Sequence, residues 1–456
     1  MIKRFISFLR SAPRSLLAKW GSLLKSANRR VYLDYAGATP ISARAKRALQ
    51  VSSELYGNPS AIHKEGVQAS QLLDRARTLC AKVLNAHAYE IYFVSSGTES
   101  CNLAIMGAYL GAIENWKLEI ENSRPHIIVS CIEHPAVLEP IHHLEKQGLV
   151  RVTYLPVYEN GIVKVKDIRD ALCEETILVS VMYANNEIGT IQPVKEIGRA
   201  IEEWKKEQEE LARTHTSYPY FHIDACQAGN YCNLDVVRLR AHLMTVNSSK
   251  VYGPKGVALL YRREGIKIDP IIYGGGQERG LRSGTESVSL AYSFGVALTE
   301  SQEMKEKESV RLRELRDLFK KEATKQIPGI VFYGAWEAGR QQTTDNRQQK
   351  DLNQLPTTHY PLLTTLRLPN NINCRVPGIT SEEIILRLDA VGFACSHKSA
   401  CASRESDGSY VIEALGVSEQ ESLENIRITL GRETNKYDID SLVESMKIIS
   451  EKFSRH

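Results

Sequence analysis

What this chain lacks narrows its class before any motif is read. No uninterrupted apolar run approaches membrane-spanning length, which argues against a transmembrane helix. No pair of its nine cysteines, at 80, 101, 131, 173, 226, 232, 374, 395 and 401, has the Cys-x-x-Cys spacing of a zinc or redox site, so no metal is expected. An odd number of cysteines without a secretory signal favours a reducing compartment, where most of them serve as small buried hydrophobes. There is no internal repeat. The first thirty residues contain no acid. They hold Lys3, Arg4, Arg10, Arg14, Lys19, Lys25, Arg29 and Arg30, a charge of +8, so the rest of a chain of net charge +4 carries −4. A mildly acidic body does not suit direct nucleic-acid binding.

What is present describes a globular protein of two domains. The 456 residues exceed one ordinary core, and 43% are hydrophobic against 25% charged. In the basic leader, residues 1–30, Ile2, Phe5, Ile6, Leu9, Leu16, Leu17, Trp20 and Leu24 recur at helical spacing, interrupted near Pro13. A transit peptide, a helix on an anionic membrane surface and a poorly ordered extension all fit that pattern. From residue 90 onward short apolar runs alternate with helical stretches, which predicts an α/β domain over 31–290 with a largely parallel sheet. Seven strands are expected: 91–95, 126–131, 151–155, 177–183, 220–224, 243–246 and 257–261. Several end in polar groups, Glu133-His134, Asn185-Asn186, Asp224 and Asn247 to Lys250, while the first runs into Ser96-Gly97-Thr98-Glu99. In open α/β sheets the carboxyl ends of strands surround the ligand, so these groups should converge on one pocket. A helix from 287 to 323 turns charged after Glu300 and bridges into a smaller C-terminal α/β domain, 291–456, with 31–48 packing on it. The Gln/Thr/Asn-rich stretch 337–360 is a surface insertion without periodicity.

The residue of greatest interest is Lys250, at a strand end opening onto Gly253-Pro254. It is poorly placed for a core and well placed to take an aldehyde cofactor on its amine. Asp224 ends another strand with a carboxylate. Ser399-Ala400-Cys401 offers a loop thiol much later in the chain.

Several ordered motifs together resemble the cysteine desulfurases of the class V aminotransferase group, which are fold-type I pyridoxal phosphate enzymes. They are Tyr32-Leu33-Asp34-Tyr35-Ala36-Gly37-Ala38-Thr39-Pro40, Gly57-Asn58-Pro59-Ser60, Asn185-Asn186-Glu187-Ile188-Gly189, Lys250 to Gly256, Gly274 to Thr285, and Ser399-Ala400-Cys401. The resemblance runs from about 31 to about 450. It implies that Lys250 carries pyridoxal 5'-phosphate and moves the substrate α-proton, that Asp224 holds the pyridine nitrogen protonated, and that His134 stacks on the ring. It further implies that Gln227 and Asn186 reach the ring oxygen, and that Asn186 and Arg427 meet the substrate carboxylate. Gly97 and Thr98, opening a helix, would bind the phosphate through free amides and the helix dipole, although Ser-Gly-Thr-Glu is also capping chemistry. Asn247 and Ser249 stand where many members have serine and histidine as phosphate ligands, and Thr285 would reach the phosphate of the second subunit of a homodimer.

Cys401 would take sulfur from L-cysteine as a persulfide, leaving L-alanine, with His397, Lys398 and Arg404 lowering its thiol pKa. Cys395 reads as core, and Arg432 as structural. The expected sulfur acceptor is an iron-sulfur scaffold or a tRNA-thiolation protein, in a bacterial-type cytoplasm or, second, a mitochondrion-like matrix. A selenocysteine lyase, another class V transaminase, or a non-catalytic docking homologue are the rival readings.

Overall fold

The computed structural model describes residues 30–116, 124–210, 218–336, 366–397 and 408–453. Most of the basic leader, the polar insertion and the segment 398–407 with Cys401 lie outside the described residues. The chain begins with a short strand, β1 (Val31–Tyr32), and two helices, α1 (Ala43–Ser52) and α2 (Lys64–Leu84). Then come β2 (Ile91–Val94), α3 (Gly97–Trp116), β3 (His126–Ser130), α4 (Pro135–Lys146), β4 (Arg151–Leu155), β5 (Thr176–Ser180), α5 (Val194–Glu210), β6 (Tyr220–Asp224), β7 (Leu243–Asn247) and β8 (Ala258–Arg262). A long helix, α6 (Val288–Gln326), leads to β9 (Val331–Phe332), β10 (Asn371–Arg375), β11 (Phe393–Ala394), α7 (Tyr410–Glu413), β12 (Asn425–Thr429) and α8 (Lys436–Phe453).

All seven expected strands form, in one sheet of order β2-β8-β7-β6-β5-β3-β4. Only β8 runs antiparallel, to both its neighbours. Two reversals cancel, so β2 points the same way as β7 and delivers Gly97 to the same edge as Lys250. Side chains alternate across the sheet: Ile91, Phe93 and Ile128 enter the core on one face, Tyr92, Val94, Ile127 and Val129 the core on the other. Helices cover both faces, which explains why these strands read as nearly continuous apolar runs.

β2, β3 and β5 stop short of the expected carboxyl ends, at Val94, Ser130 and Ser180, and beyond β2 and β5 a glutamate side chain takes a backbone amide. The Ser95 amide donates to Glu99 Oε2 at 2.7 Å, and the Met182 amide to Glu133 Oε1 at 2.7 Å. The C-terminal region adds an antiparallel sheet, β12-β10-β9, around a third core that includes Leu312, Ile372, Ile426 and Leu442. β1 pairs with β11, so Val31 and Tyr32 lie against Phe393 and Ala394. Cys395 packs at the edge of this third core, as expected, and burial pushes its thiol pKa up. No helix among the described residues is long and apolar enough to cross a membrane.

The Gly274 to Thr285 stretch is fastened by a buried ion pair. Arg77, on α2, holds Glu278 with both terminal guanidinium nitrogens, Nη1 and Nη2, at 2.6 and 2.7 Å, and Glu278 also accepts from the Phe93 amide at 3.1 Å. Both side chains are almost fully buried. Glu278→Ala leaves the Arg77 charge without its partner in a dry site, and should cost about 3–5 kcal/mol of stability. A urea titration reads this as a lower midpoint; an unchanged midpoint would mean that water replaces the carboxylate.

Candidate functional site

The carboxyl edge of the large sheet encloses a cavity of about 170 Å³. Gly97, Thr98, His134, Asn186, Asp224, Gln227, Asn247, Lys250 and Arg427 line it, with Ala36, Gly37, Cys101, Met182 and Cys226 among the others. Nine residues expected to share one site therefore do so, though the first and last are 330 positions apart in the chain. Ser249 and Thr285 are not in that lining. The Ser249 hydroxyl turns to Asn247 Oδ1 at 3.3 Å, and Thr285 is exposed on the loop before α6. Cys401 belongs to the segment outside the described residues.

Each group is positioned by the element that ends beside it. Asp224 closes β6, and its Oδ1 accepts the Cys226 amide at 2.9 Å. Lys250 follows β7 through a single helical turn. Its Nζ donates to the carbonyl of Ala36 at 2.7 Å and to that of Gly37. Gln227 Nε2 meets the same Ala36 carbonyl at 3.0 Å. The stretch after β1 thus forms a wall of the cavity, held over the lysine.

His134 caps α4: its Nδ1 accepts the Ala136 amide at 3.1 Å, and Pro135 fills the first helical position, where a missing N–H costs nothing. With Nδ1 an acceptor, a neutral ring carries its proton on Nε2. Burial lowers the His134 pKa, the Lys250 and Arg427 charges push the same way, and Asp224 opposes them. The ring is accordingly neutral at neutral pH.

Asn186 sits in a tight turn built by its neighbour. Asn185 Oδ1 accepts from the Glu187 and Ile188 amides at 2.8 and 2.9 Å. Gly189 closes the turn at φ +73, with the Asn371 side chain 2.7 Å from where a Cβ would stand, so only glycine serves there. Arg427, 1% exposed, donates to the Asn186 carbonyl at 3.2 Å and pairs with Asp34 Oδ1 at 2.8 Å. Its Nε is buried without a hydrogen-bond partner. A carboxylate entering beside Arg427 would meet a guanidinium that still has donor capacity. Asp34 was within a quoted motif, but its pairing across 393 residues of sequence has no local signature.

The opening of α3 supplies donors. Ser96 Oγ accepts the Glu99 amide at 3.1 Å, and the first intrahelical bond runs from the Ser100 amide to the Ser96 carbonyl. The amides of Gly97 and Thr98 lie ahead of that bond and are available to an anion. Both expectations for this stretch hold together, capping by Ser96 and free donors at Gly97 and Thr98. A Cβ on Gly97 would come within 3.1 Å of Cys226 Sγ and 3.2 Å of Asn247 Nδ2, so glycine keeps this end of the cavity open. Amide donors and a helix dipole at one end, a strand-end carboxylate and a reachable amine form the donor set that pyridoxal phosphate requires.

Two cysteines that sequence reasoning left among the core residues also line the cavity. Cys101 Sγ lies 4.0 Å from Asp224 Oδ2, and Cys226 follows Asp224 by two positions. Burial first, and the Asp224 charge second, raise both thiols well above the ordinary cysteine value. They remain protonated and poorly nucleophilic, so neither competes for the role expected of Cys401.

The stems of the segment carrying Cys401 meet the same site. Ser396 exchanges backbone hydrogen bonds with Arg427, at 3.2 and 2.7 Å. On the other side Ser409 Oγ donates to Glu187 Oε2 at 2.6 Å, and the Tyr410 hydroxyl to the Glu133 carbonyl at 2.5 Å.

Residues 31–348 match the family described as aminotransferase class-V. The chain is 38% identical over 425 residues to a cysteine desulfurase IscS of Dictyoglomus turgidum, covering 93% of this chain and 95% of that one. It is 34% identical over 441 residues to a mitochondrial cysteine desulfurase of Arthroderma benhamiae, covering 95% and 77%. Among solved structures, a NifS-like protein superposes with a TM-score of 0.76 at 29% identity, covering 93% of this chain and all of the other. A structure described as SspA in complex with cysteine gives 0.66 at 28% identity, covering 88% and 98%.

Proposed function

The chain belongs to the cysteine desulfurases of the class-V aminotransferase family, and from that premise we propose that its cavity takes pyridoxal phosphate and L-cysteine and that Cys401 receives the sulfur. The observation that carries this reading is the convergence of Lys250, Asp224, His134 and Arg427 on one cavity whose rim is joined to both stems of the Cys401 segment. Cys401 lies four positions beyond His397, an extended reach of up to about 14 Å.

Pyridoxal phosphate, when bound, supplies an electron sink for the pair left at the substrate α-carbon. Lys250 would hold it through its amine, Asp224 would face its ring nitrogen, His134 would lie on the ring, and Gly97 and Thr98 would donate to its phosphate. Asn247 stands beside that phosphate end, and Gln227 and Asn186 at the rim. Thr285 and Ser249 lie off this cavity in the single chain; Thr285, exposed, suits the family arrangement in which it serves the second subunit of a homodimer. Arg427 anchors the carboxylate of cysteine and fixes the direction of its side chain. The freed Lys250 amine takes the α-proton and later returns a proton to carbon. Cys401 thiolate attacks the substrate sulfur: an S–S bond forms, the C–S bond breaks with its electron pair going to the substrate, and protonation yields L-alanine. The sulfur then stands as a persulfide on Cys401, ready for an acceptor protein of the iron-sulfur scaffold or tRNA-thiolation kind. A cytoplasmic setting is part of the same proposal, and the relative described as mitochondrial supports a matrix as the alternative.

The purified protein, supplied with pyridoxal phosphate, cysteine and a reductant, should release sulfide and L-alanine in equal amounts. Running selenocysteine in parallel discriminates the nearest rival. A product yield confined to selenocysteine would overturn the assignment in favour of a lyase.

A further inference from the structure

Glu133 has no part in the chemistry assigned above, yet it sits one residue before His134 and is wholly buried. Its Oε1 accepts from the Ser130 hydroxyl and from the Met182 amide at 2.7 Å. Its Oε2 is buried with no hydrogen-bond partner. An ionised carboxylate spreads its charge over both oxygens and would leave one anionic oxygen bare in a dry interior; a proton on Oε2 removes that charge.

The turn from β3 to α4 is also gripped from outside. Asn185 Nδ2 donates to the Ile132 carbonyl at 2.9 Å and the Tyr410 hydroxyl to the Glu133 carbonyl, so elements after β5 and in the C-terminal region hold the backbone that presents the imidazole.

We propose that Glu133 is a positioning residue for His134 and works as a neutral acid, joining the end of β3 to the end of β5 without setting a second negative charge beside Asp224. The groups that face it are Asp224 on β6, Cys101 on α3, Cys131 and His134 in its own turn, and Tyr410 on α7. Burial keeps both thiols and the phenol protonated and the imidazole uncharged, so Asp224 is the charge Glu133 feels. Consistently, burial pushes Glu133 up to about 8, Asp224 adds to the rise, and the Ser130 and Met182 bonds resist it.

In the native protein Glu133 keeps its proton up to about 8, whereas an unfolded chain releases it near 4.5. The native state binds more protons in that window, so stability declines with rising pH because of this residue. The effect on the cofactor rests on the proposed function; the protonation does not.

The full chain is compared with Glu133→Gln and Glu133→Ala, cofactor-free and cofactor-loaded. Between pH 4.5 and 8 the wild type, measured by urea midpoint, should lose stability relative to Glu133→Gln, and the infrared band of a protonated carboxyl should disappear in that variant. Parallel pH profiles with no such band would overturn the neutral acid. In equilibrium dialysis Glu133→Gln should keep pyridoxal phosphate within about twofold of wild type and preserve the pH titration of its absorption band, while Glu133→Ala should bind about tenfold or more weakly with a shifted titration. Should Glu133→Ala not fold, Glu133→Met, of similar volume, takes its place. Equal damage by Gln and by the apolar variant, or unaltered binding and spectra in the latter, would overturn the positioning role. Wild-type protein that takes up no pyridoxal phosphate would sink the proposed function, and the cofactor-free pH comparison would still decide the protonation.

Discussion

Lys250→Ala should lower the release of sulfide and alanine from cysteine by about three orders of magnitude or more, because on the proposed reading the variant loses the group that moves the α-proton. Its folding should be little altered. The Lys250 side chain bonds to the carbonyls of Ala36 and Gly37, while the same stretch is held independently by Gln227, by Thr39 on the Ser249 carbonyl at 2.8 Å and by the pairing of β1 with β11. Borohydride treatment followed by peptide mapping supplies a second reading: the cofactor should be fixed to the wild-type peptide containing Lys250 and to no peptide of the variant. Turnover within tenfold of wild type would mean that another amine does the work, and Lys255, five residues on, is the one to examine.

Cys401→Ala should abolish sulfide release from cysteine to a comparable degree, but for a different reason and with a different residue of function. The cavity keeps all its described lining residues, so pyridoxal phosphate should bind as in wild type. Exchange of the α-proton of L-alanine in deuterated water, which in the proposed mechanism calls on Lys250 and Arg427 but on no sulfur nucleophile, should persist. That split between retained exchange and lost sulfur transfer separates a desulfurase from a transaminase or a selenium-selective lyase, which would keep much of their turnover without this thiol. Loss of both activities would show instead that the substitution damages the cavity.

Much of this was legible in the chain because its signals are local. Apolar runs gave all seven strands, and the polar residues at or just past their ends gave seven of the nine cavity residues, since the carboxyl ends of an open sheet surround its ligand, while Gln227 and Arg427 came only from the resemblance. What escaped depends on contacts without local period. Asp34 pairs with Arg427 across nearly the whole chain, and Glu133 differs from a surface glutamate only in being wholly buried by strands and helices that come from other parts of the sequence. Cys101 and Cys226 read as core residues from their spacing; they are buried, yet their burial is against the cavity. Ser249 was expected on the phosphate by analogy with its position, but its hydroxyl satisfies Asn247 within two residues, a short-range bond that competes with any ligand.

The wall over Lys250 has a bearing on how the protein is made. Its carbonyls at Ala36 and Gly37 are suspended from β1, which docks on β11, and from Asp34, which is clasped by Arg427. A nascent chain emerging from the ribosome can build the large sheet once β8 has cleared the tunnel, but the two ends of that wall find their counterparts only when β11 and then β12 have been synthesised. The pocket is therefore among the last parts of the fold to close, and a polypeptide truncated before Arg427 would hold its lysine in an open, unfinished cleft.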